Sequence, residues 1–145
     1  MSQTDAVRDL EIEFSAMVRR GRIITRDLAR AVHPRLDPTA FSLVAYLARN
    51  DPKRVSELAA ILSLDKSTVS RQIDAVSRLG LVERRPDPAD ARARLVTLTE
   101  DGRATVNTQL DRYRDRMRRV LNTWDVAEVT ELARLLHKAG ETGIF

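Results

Sequence analysis

The sequence contains no cysteine, which excludes disulfide bonds, thiolate metal sites and cysteine-based redox switching within the chain. No apolar run approaches the ~20 residues that a membrane-spanning helix needs. The first residues lack the basic start and apolar stretch of a secretory signal. Aromatic residues make up only 4% of the chain, so we expect a core built mainly from aliphatic side chains. These absences predict a cytoplasmic protein with no membrane segment.

Charged residues, by contrast, make up 32% of the 145 residues, and the formal net charge is +4. Apart from Lys53, Lys66 and Lys138, every positively charged side chain is arginine. Arginine binds phosphate groups bidentately, which suits an anionic partner, although a biased genomic base composition gives the same excess. The length is that of one domain, and a chain of this size gains further core by oligomerising.

Long helices are predicted at both ends of the chain. In residues 5–32, positions three and four apart alternately carry apolar residues or glycine, which is the heptad seam of a helix that packs on another helix. The seam comprises Val7, Leu10, Phe14, Met17, Gly21, Ile24, Leu28 and Ala31. A second long helix begins after Thr99, and a last one opens at Asp125, with Glu128 completing a variant capping box. One helix cannot bury such a seam, so another part of the chain or a second copy must cover it.

Three shorter helices are predicted between these ends. Asp37 caps the first of them. Its inward residues are Phe41, Val44, Leu47 and Ala48. The stretch VSELAAILSL forms the next, with Leu58, Ile61 and Leu62 on one face. Asp65 caps the third, which runs to Gly80, a residue that suits the left-handed end of a helix. The second and third helices are joined by so short a turn that they form a helix-turn-helix.

Two β-compatible runs follow the helix-turn-helix. One is LVERR at 81–85, and the other starts near Ala93, where arginine and apolar side chains alternate with the period of a strand. They flank a loop of roughly eight residues, longer than a tight hairpin needs. Pro86 and Pro88 restrict the conformations of that loop before it binds anything. A helix-turn-helix followed by a hairpin is a winged helix, which places one helix in the major groove of DNA and the hairpin in the minor groove.

The hairpin tip carries arginine. Arg92 suits a narrow minor groove, whose negative potential favours a guanidinium. We expect Asp90 to hold Arg92 or Arg94 in a chosen rotamer. The alternative is an ordinary charged β-turn.

The helix from Lys66 to Leu79 has one apolar side, formed by Val69, Ile73 and Val76. Its other side presents hydroxyls, a methyl group and arginine, which are groups that contact base edges and thymine methyls in a major groove. The candidate DNA-binding residues are Lys66, Ser67, Thr68, Ser70, Arg71, Ala75 and Arg78 on this helix and Arg84, Asp90, Arg92 and Arg94 in the hairpin. Many polar helix faces are only solvated, and we expect phosphates to repel Asp74.

The order of elements and several short stretches resemble the MarR family (multiple antibiotic resistance regulators) of bacterial transcription factors. Those stretches are DKSTVSRQID, LGLVERRPDPAD, Asp90-Ala91-Arg92 and LTEDG. By architecture the resemblance spans the chain, and by motif it covers residues 55–103. It implies a mainly α fold with a small β-hairpin in a single domain over 1–145, with a winged-helix DNA-binding lobe at 36–99 and dimerisation helices at 1–35 and 100–145.

The resemblance also implies a homodimer on a pseudo-palindromic operator, with Ser67, Thr68, Ser70 and Arg71 in the major groove and Arg92 in the minor groove. Many family members release DNA when a small molecule binds between the dimerisation helices and the DNA-binding lobe. We therefore expect a repressor relieved by an effector. The candidate pocket residues are Met17, Phe41, Tyr46 and Tyr113, each of which serves equally well as core.

Other classes of function are weighed against this one. A winged-helix module that binds protein and not DNA is favoured by the acidic residues Asp74, Glu83, Asp87 and Asp90. An enzyme is not expected, because the sequence has no glycine-rich phosphate loop and no recognisable set of Ser, His and acidic residues. No cofactor is predicted. Metal sensing is not expected either, since His33 and His137 are the only histidines and no cysteine accompanies them.

Overall fold

The computed structural model describes residues 2–144, which form six α-helices, one 3₁₀ turn and one antiparallel pair of strands. The helices are α1 (Gln3–Val32), α2 (Phe41–Leu47), α3 (Val55–Leu62), α4 (Lys66–Arg78), α5 (Glu100–Leu121) and α6 (Val126–Glu141). The strands are β1 (Val82–Asp87) and β2 (Asp90–Leu98). The chain divides into two compact units, one up to Leu110 and one from Asp111 onward, and α5 crosses the boundary. The predicted class, mainly α with a small hairpin, is confirmed.

The hydrophobic core belongs to the first unit. All buried side chains of residues 2–144 lie between Ala29 and Leu110. The largest that are fully buried are Leu43, Val44, Leu47, Leu58, Val69, Ile73, Val76, Val96 and Val106. The predicted inward faces of α2 and α4 are therefore confirmed. They place the helix-turn-helix and the hairpin on one shared core.

The predicted inward face of α3 is wrong at Ile61, whose side chain is 45% exposed. The core is met by Leu58 and Ala59, with Val55 and Leu62 partly buried beside them. At 3.6 residues per turn, Ile61 lies about 200° around the helix from Ala59 and therefore points away from the core. A spacing of three residues from Leu58 is compatible with either side of the helix, and in the structure Ile61 lies on the exposed side.

The start of α2 also differs from prediction. Asp37 does act as a cap, since its Oδ1 accepts the Thr39 N–H at 2.9 Å. What it caps is a 3₁₀ turn over Pro38–Ala40, and the α-helix itself begins at Phe41. Such tight turns are common at the beginnings of α-helices.

The LTEDG stretch joins the hairpin to α5. Thr99 Oγ1 donates to the Gly80 carbonyl at 2.7 Å and accepts the Gly102 N–H at 3.0 Å, so Thr99 caps α5 as predicted. A Cβ at Gly102 would lie 2.2 Å from the carbonyl oxygen of Leu81. Only glycine therefore fits where α5 crosses the chain leaving α4.

The hairpin is tighter than predicted. β1 continues through Pro86 to Asp87 and β2 already begins at Asp90, so the predicted loop of roughly eight residues and the strand start near Ala93 are both wrong. Proline is tolerated in β1 because β1 pairs with β2 along one edge, so its other edge needs no backbone donor for a further strand. The connection consists of Pro88 and Ala89, with the Ala89 N–H donating to Asp87 Oδ1 at 2.9 Å.

The second unit is built differently. From Asp111 to Ile144 no described side chain is buried. The Asp125 N–H donates to Glu128 Oε2 at 2.9 Å, which confirms the predicted cap of α6. Ion pairs within single helices, such as Arg114 with Asp111 at 2.9 Å, line the surface. In residues 2–144, every helix is too short or too polar to span a membrane.

Candidate nucleic-acid interface

The N-terminus of α4 is organised by Asp65. Its Oδ2 accepts the Thr68 N–H at 2.8 Å, and its Oδ1 accepts the Thr68 hydroxyl at 2.6 Å. The Ser67 hydroxyl donates to Oδ2 as well. These hydroxyls and the backbone N–H hold the pKa of the Asp65 carboxyl well below its usual range. The predicted cap is thus confirmed, and Asp65 orients two candidate DNA-binding side chains.

This cap has a chemical consequence for Ser67 and Thr68. A hydroxyl has one proton to donate, and both protons are directed at the Asp65 carboxylate. Their oxygen lone pairs remain as acceptors. In a major groove, the complementary groups are the amino groups of adenine and cytosine.

The rest of the outward face of α4 is exposed as the sequence predicted. Lys66, Arg71 and Arg78 are exposed, and Ser70 and Ala75 are partly so. Arg71 Nη2 lies 3.3 Å from Thr68 Oγ1, one turn back towards the N-terminus of the helix. The face therefore offers acceptors, one methyl group and guanidinium donors, which together suit a mixed base sequence.

Asp74, expected to be repelled by phosphates, is paired. Its Oδ1 lies 2.8 Å from Nη2 of Arg84, a residue of β1. The pair neutralises the acid on the outward face and links α4 to the hairpin. Arg84, predicted to contact DNA, is thus already engaged by Asp74.

The hairpin exposes both Arg92 and Arg94. Its pairing is regular from Val82 with Leu98 to Pro86 with Arg94, and then changes. The next pair is Asp87 with Asp90, so β1 advances by one residue while β2 moves by four. Such irregularities bend a strand and turn its side chains. Arg92 lies within this irregular segment at the tip of the hairpin.

The predicted contact of Asp90 with an arginine side chain of its own strand is not what the structure has. Asp90 Oδ1 accepts the backbone N–H of Arg92 at 3.0 Å. The guanidinium near Asp90 is that of Arg54, whose Nη2 lies 4.0 Å from Asp90 Oδ2. A short acidic side chain two residues away bonds the backbone more readily than a long side chain.

Sequence reasoning missed Arg54 and Arg35. Arg54 precedes α3 and contacts the hairpin from 33 residues away, which no local pattern reveals. Arg35 lines a cleft of about 520 Å³ together with Ala75, Arg78 and Leu79 of the α4 region. Arg35 thereby adds a positive charge beside the outward face of α4.

The four predicted effector-pocket residues differ from one another in burial. Phe41 belongs to the core, and Tyr46 packs against it partly buried. Met17 is 47% exposed on α1, and Tyr113 is partly buried in the second unit. None of the four lines the cleft beside α4. Residues 2–144 contain no group of three or more His, Asp or Glu side chains placed to hold a metal ion.

The chain is similar to known helix-turn-helix regulators. Residues 36–93 match the model of the MarR family. The HTH-type transcriptional regulator YxaD of Bacillus subtilis is 28% identical over 144 residues, which are 99% of each chain. The HTH-type transcriptional repressor NicR of Pseudomonas putida is 26% identical over 109 residues, covering 75% of this chain and 69% of NicR. The crystal structure of MarR from E. coli in its apo form has a TM-score of 0.64 and 26% identity, covering 88% of this chain and 94% of MarR. YxaD and NicR are named as transcriptional regulators, which agrees with the sequence-based expectation of a regulator and not an enzyme.

Proposed function

We propose that the chain is a DNA-binding transcriptional regulator of the MarR family, a homodimeric repressor that binds a pseudo-palindromic operator, because residues 36–93 match the model of that family and YxaD and MarR are similar over most of the chain. The observation that carries the proposal is the joint exposure of Arg71 on α4 and Arg92 on the hairpin tip, two elements fixed to the same core. α4 enters a major groove, and the hairpin reaches the adjacent minor groove.

Most of the candidate residues then take one of two roles, and Arg84 takes a third. Ser67, Thr68, Ser70, Arg71 and Ala75 face base edges, where short side chains and one bidentate donor read sequence. Lys66, Arg78 and Arg94 bind phosphates, which set affinity and register but carry no sequence information. Arg84 acts through its pair with Asp74 and holds the hairpin against α4.

The two-fold symmetry of a pseudo-palindromic operator is matched by two copies of the chain. α1 exposes Val7, Leu10 and Met17 of the predicted seam, and α6 exposes Leu132, Leu135 and Leu136. Apolar side chains in such rows mark an interface. Two copies related by a two-fold axis match an operator whose half-sites mirror each other.

Repression and its relief by a small-molecule effector complete the proposal. The name of NicR, a repressor, supports the first. For the second, Met17, Phe41, Tyr46 and Tyr113 stay the candidate pocket residues. We place the protein in the bacterial cytoplasm, where its DNA partner lies.

The protein-interaction hypothesis loses the feature that favoured it. Each of its four acidic residues has an arginine within 4.0 Å: Asp74 has Arg84, Glu83 has Arg85, and both Asp87 and Asp90 have Arg54. Paired acids present no acidic patch to a basic protein partner.

A mutational experiment tests the DNA proposal. A tight-binding duplex is first selected from a random pool, and its affinity is then measured by fluorescence anisotropy for wild type and variants. Arg71→Ala is expected to cost about 1–3 kcal/mol and to relax base preference at one position of each half-site. Arg92→Ala is expected to weaken binding about tenfold, which is about 1.4 kcal/mol.

Arg116→Ala is the matched control, since it removes the same charge from the exposed surface of the second unit. Its affinity should stay within about twofold of wild type. If all three variants lose affinity equally, general charge and not the winged helix governs binding, and the proposal fails.

A further inference from the structure

We propose that Arg54 is a positioning residue for DNA binding, which holds the hairpin tip in the orientation at which Arg92 enters the minor groove. The inference rests on the proposed function. It assigns a role to a side chain that lies outside both the recognition helix and the hairpin.

The contact between Arg54 and Asp87 is well built. Arg54 Nε and Nη2 both donate to Asp87 Oδ2, at 2.9 and 2.6 Å. Asp87 is 8% exposed, the only acidic side chain among residues 2–144 that is buried. Charge-assisted hydrogen bonds of this length are stronger than neutral ones. The guanidinium together with the Ala89 N–H keeps the pKa of the Asp87 carboxyl below its usual range, the N–H contributing more.

Asp87 uses its other oxygen on the turn itself. Its Oδ1 accepts the Ala89 N–H at 2.9 Å, which closes the two-residue connection. Asp90, on the other side of the turn, lies 4.0 Å from Arg54 and accepts the Arg92 N–H at 3.0 Å. The carboxylates that flank the turn therefore both face Arg54, and one of them bonds the backbone of Arg92.

The base of the hairpin has a separate anchor. Lys53 and Val96 exchange two backbone hydrogen bonds, at 3.1 and 2.8 Å, so the segment before α3 pairs with β2. The tip extends six residues beyond Val96 to Asp90. Two-stranded hairpins are only marginally stable on their own. Arg54 contacts this hairpin near its tip, beyond the backbone hydrogen bonds between Lys53 and Val96.

Holding the tip lowers the entropy that is lost when DNA binds it. A guanidinium bonded to a buried carboxylate is also less available to a phosphate. The geometry thus favours an effect through Arg92 over a direct contact of Arg54 with DNA.

A double-mutant cycle tests this role on the selected duplex. Arg54→Met is expected to weaken binding about tenfold in wild type and by less than about twofold in the Arg92→Ala background. Asp87→Asn keeps the charge of Arg54 but weakens its attachment, and is expected to lower affinity in the same direction. Circular dichroism and thermal unfolding check that each variant is folded.

Arg134→Met is the matched control. Arg134 makes a similar double contact with Glu131, at 2.8 and 2.7 Å, but within α6. Its affinity should stay within about twofold of wild type.

Three outcomes overturn the inference. Equal losses for Arg54→Met with and without Arg92 show that Arg54 acts independently of the tip. Tighter binding by Asp87→Asn that is lost when Arg54→Met is added shows that Arg54 contacts phosphate itself. Unchanged affinity for Arg54→Met shows that the contact is dispensable. If the selection yields no duplex that the wild-type protein binds, the proposed function is refuted instead.

Discussion

The middle of the chain and its terminal helices use apolar residues in opposite ways. Between Ala29 and Leu110, most large apolar side chains are buried or partly buried, whereas α6 has no buried side chain and most of α1 is exposed. Both regions have helical periodicity, so periodicity alone does not tell a core from an interface. The winged helix therefore buries its apolar side chains within one chain, whereas in the proposed dimer the terminal helices bury theirs against the second chain.

The largest effect that sharpens this contrast is expected within the middle. Leu58→Ala removes a fully buried side chain and should lower the free energy of unfolding by about 2–5 kcal/mol. Ile61→Ala, on the same helix but 45% exposed, should change it by less than about 0.5 kcal/mol. Urea unfolding at one fixed protein concentration measures both. Similar losses for the two variants would mean that α3 packs through another face.

The terminal helices are tested by placing charge on their exposed apolar row. Leu132→Glu combined with Leu136→Glu should weaken dimerisation at least about 100-fold, or ~2.7 kcal/mol, because both side chains lie on one face of α6. Light scattering coupled to gel filtration gives the mass across a concentration series. A variant that remains dimeric would move the interface away from α6.

Glycine provides a third contrast. Gly102→Ala should destabilise the fold by about 1–3 kcal/mol, because the new Cβ meets the Leu81 carbonyl, which is backbone and cannot rotate away. Gly140→Ala meets nothing within 4 Å in α6 and should stabilise that helix by about 0.5–1 kcal/mol. Thermal unfolding of the two variants compares them. A harmless Gly102→Ala would show that α5 is not seated against Leu81.

The smallest expected effect is a change in folding stability at acidic pH. The pKa values of Asp65 and Asp87 are lowered in the folded chain, so each contributes stability above the ordinary carboxyl pKa of 3.8, and this contribution is lost as the pH falls below it. Asp65→Asn keeps a capping oxygen without the charge. Its stability deficit relative to wild type should therefore shrink between pH 6 and pH 3. A deficit that grows on acidification would contradict the assigned role of the carboxylate.

Local signals predicted much of this molecule because their physics is local. Asp65, Thr99 and Asp125 cap helices within three or four residues, and Val69, Ile73 and Val76 follow one helical face. The sequence predicts too long a hairpin loop because prolines usually mark turns, whereas an edge strand accommodates Pro86. The pairs of Arg54 with Asp87 and Arg84 with Asp74 join separate elements, so no spacing in the sequence predicts them.

The most direct test of the account is the salt dependence of DNA binding. Fluorescence anisotropy would compare the selected duplex with a shuffled duplex of the same base composition, across a series of salt concentrations. We predict that the selected duplex binds at least about 1,000-fold more tightly, with two chains per duplex, and that log affinity falls linearly with log salt. Equal affinity for both duplexes at every salt concentration would contradict sequence-specific recognition by the winged helix.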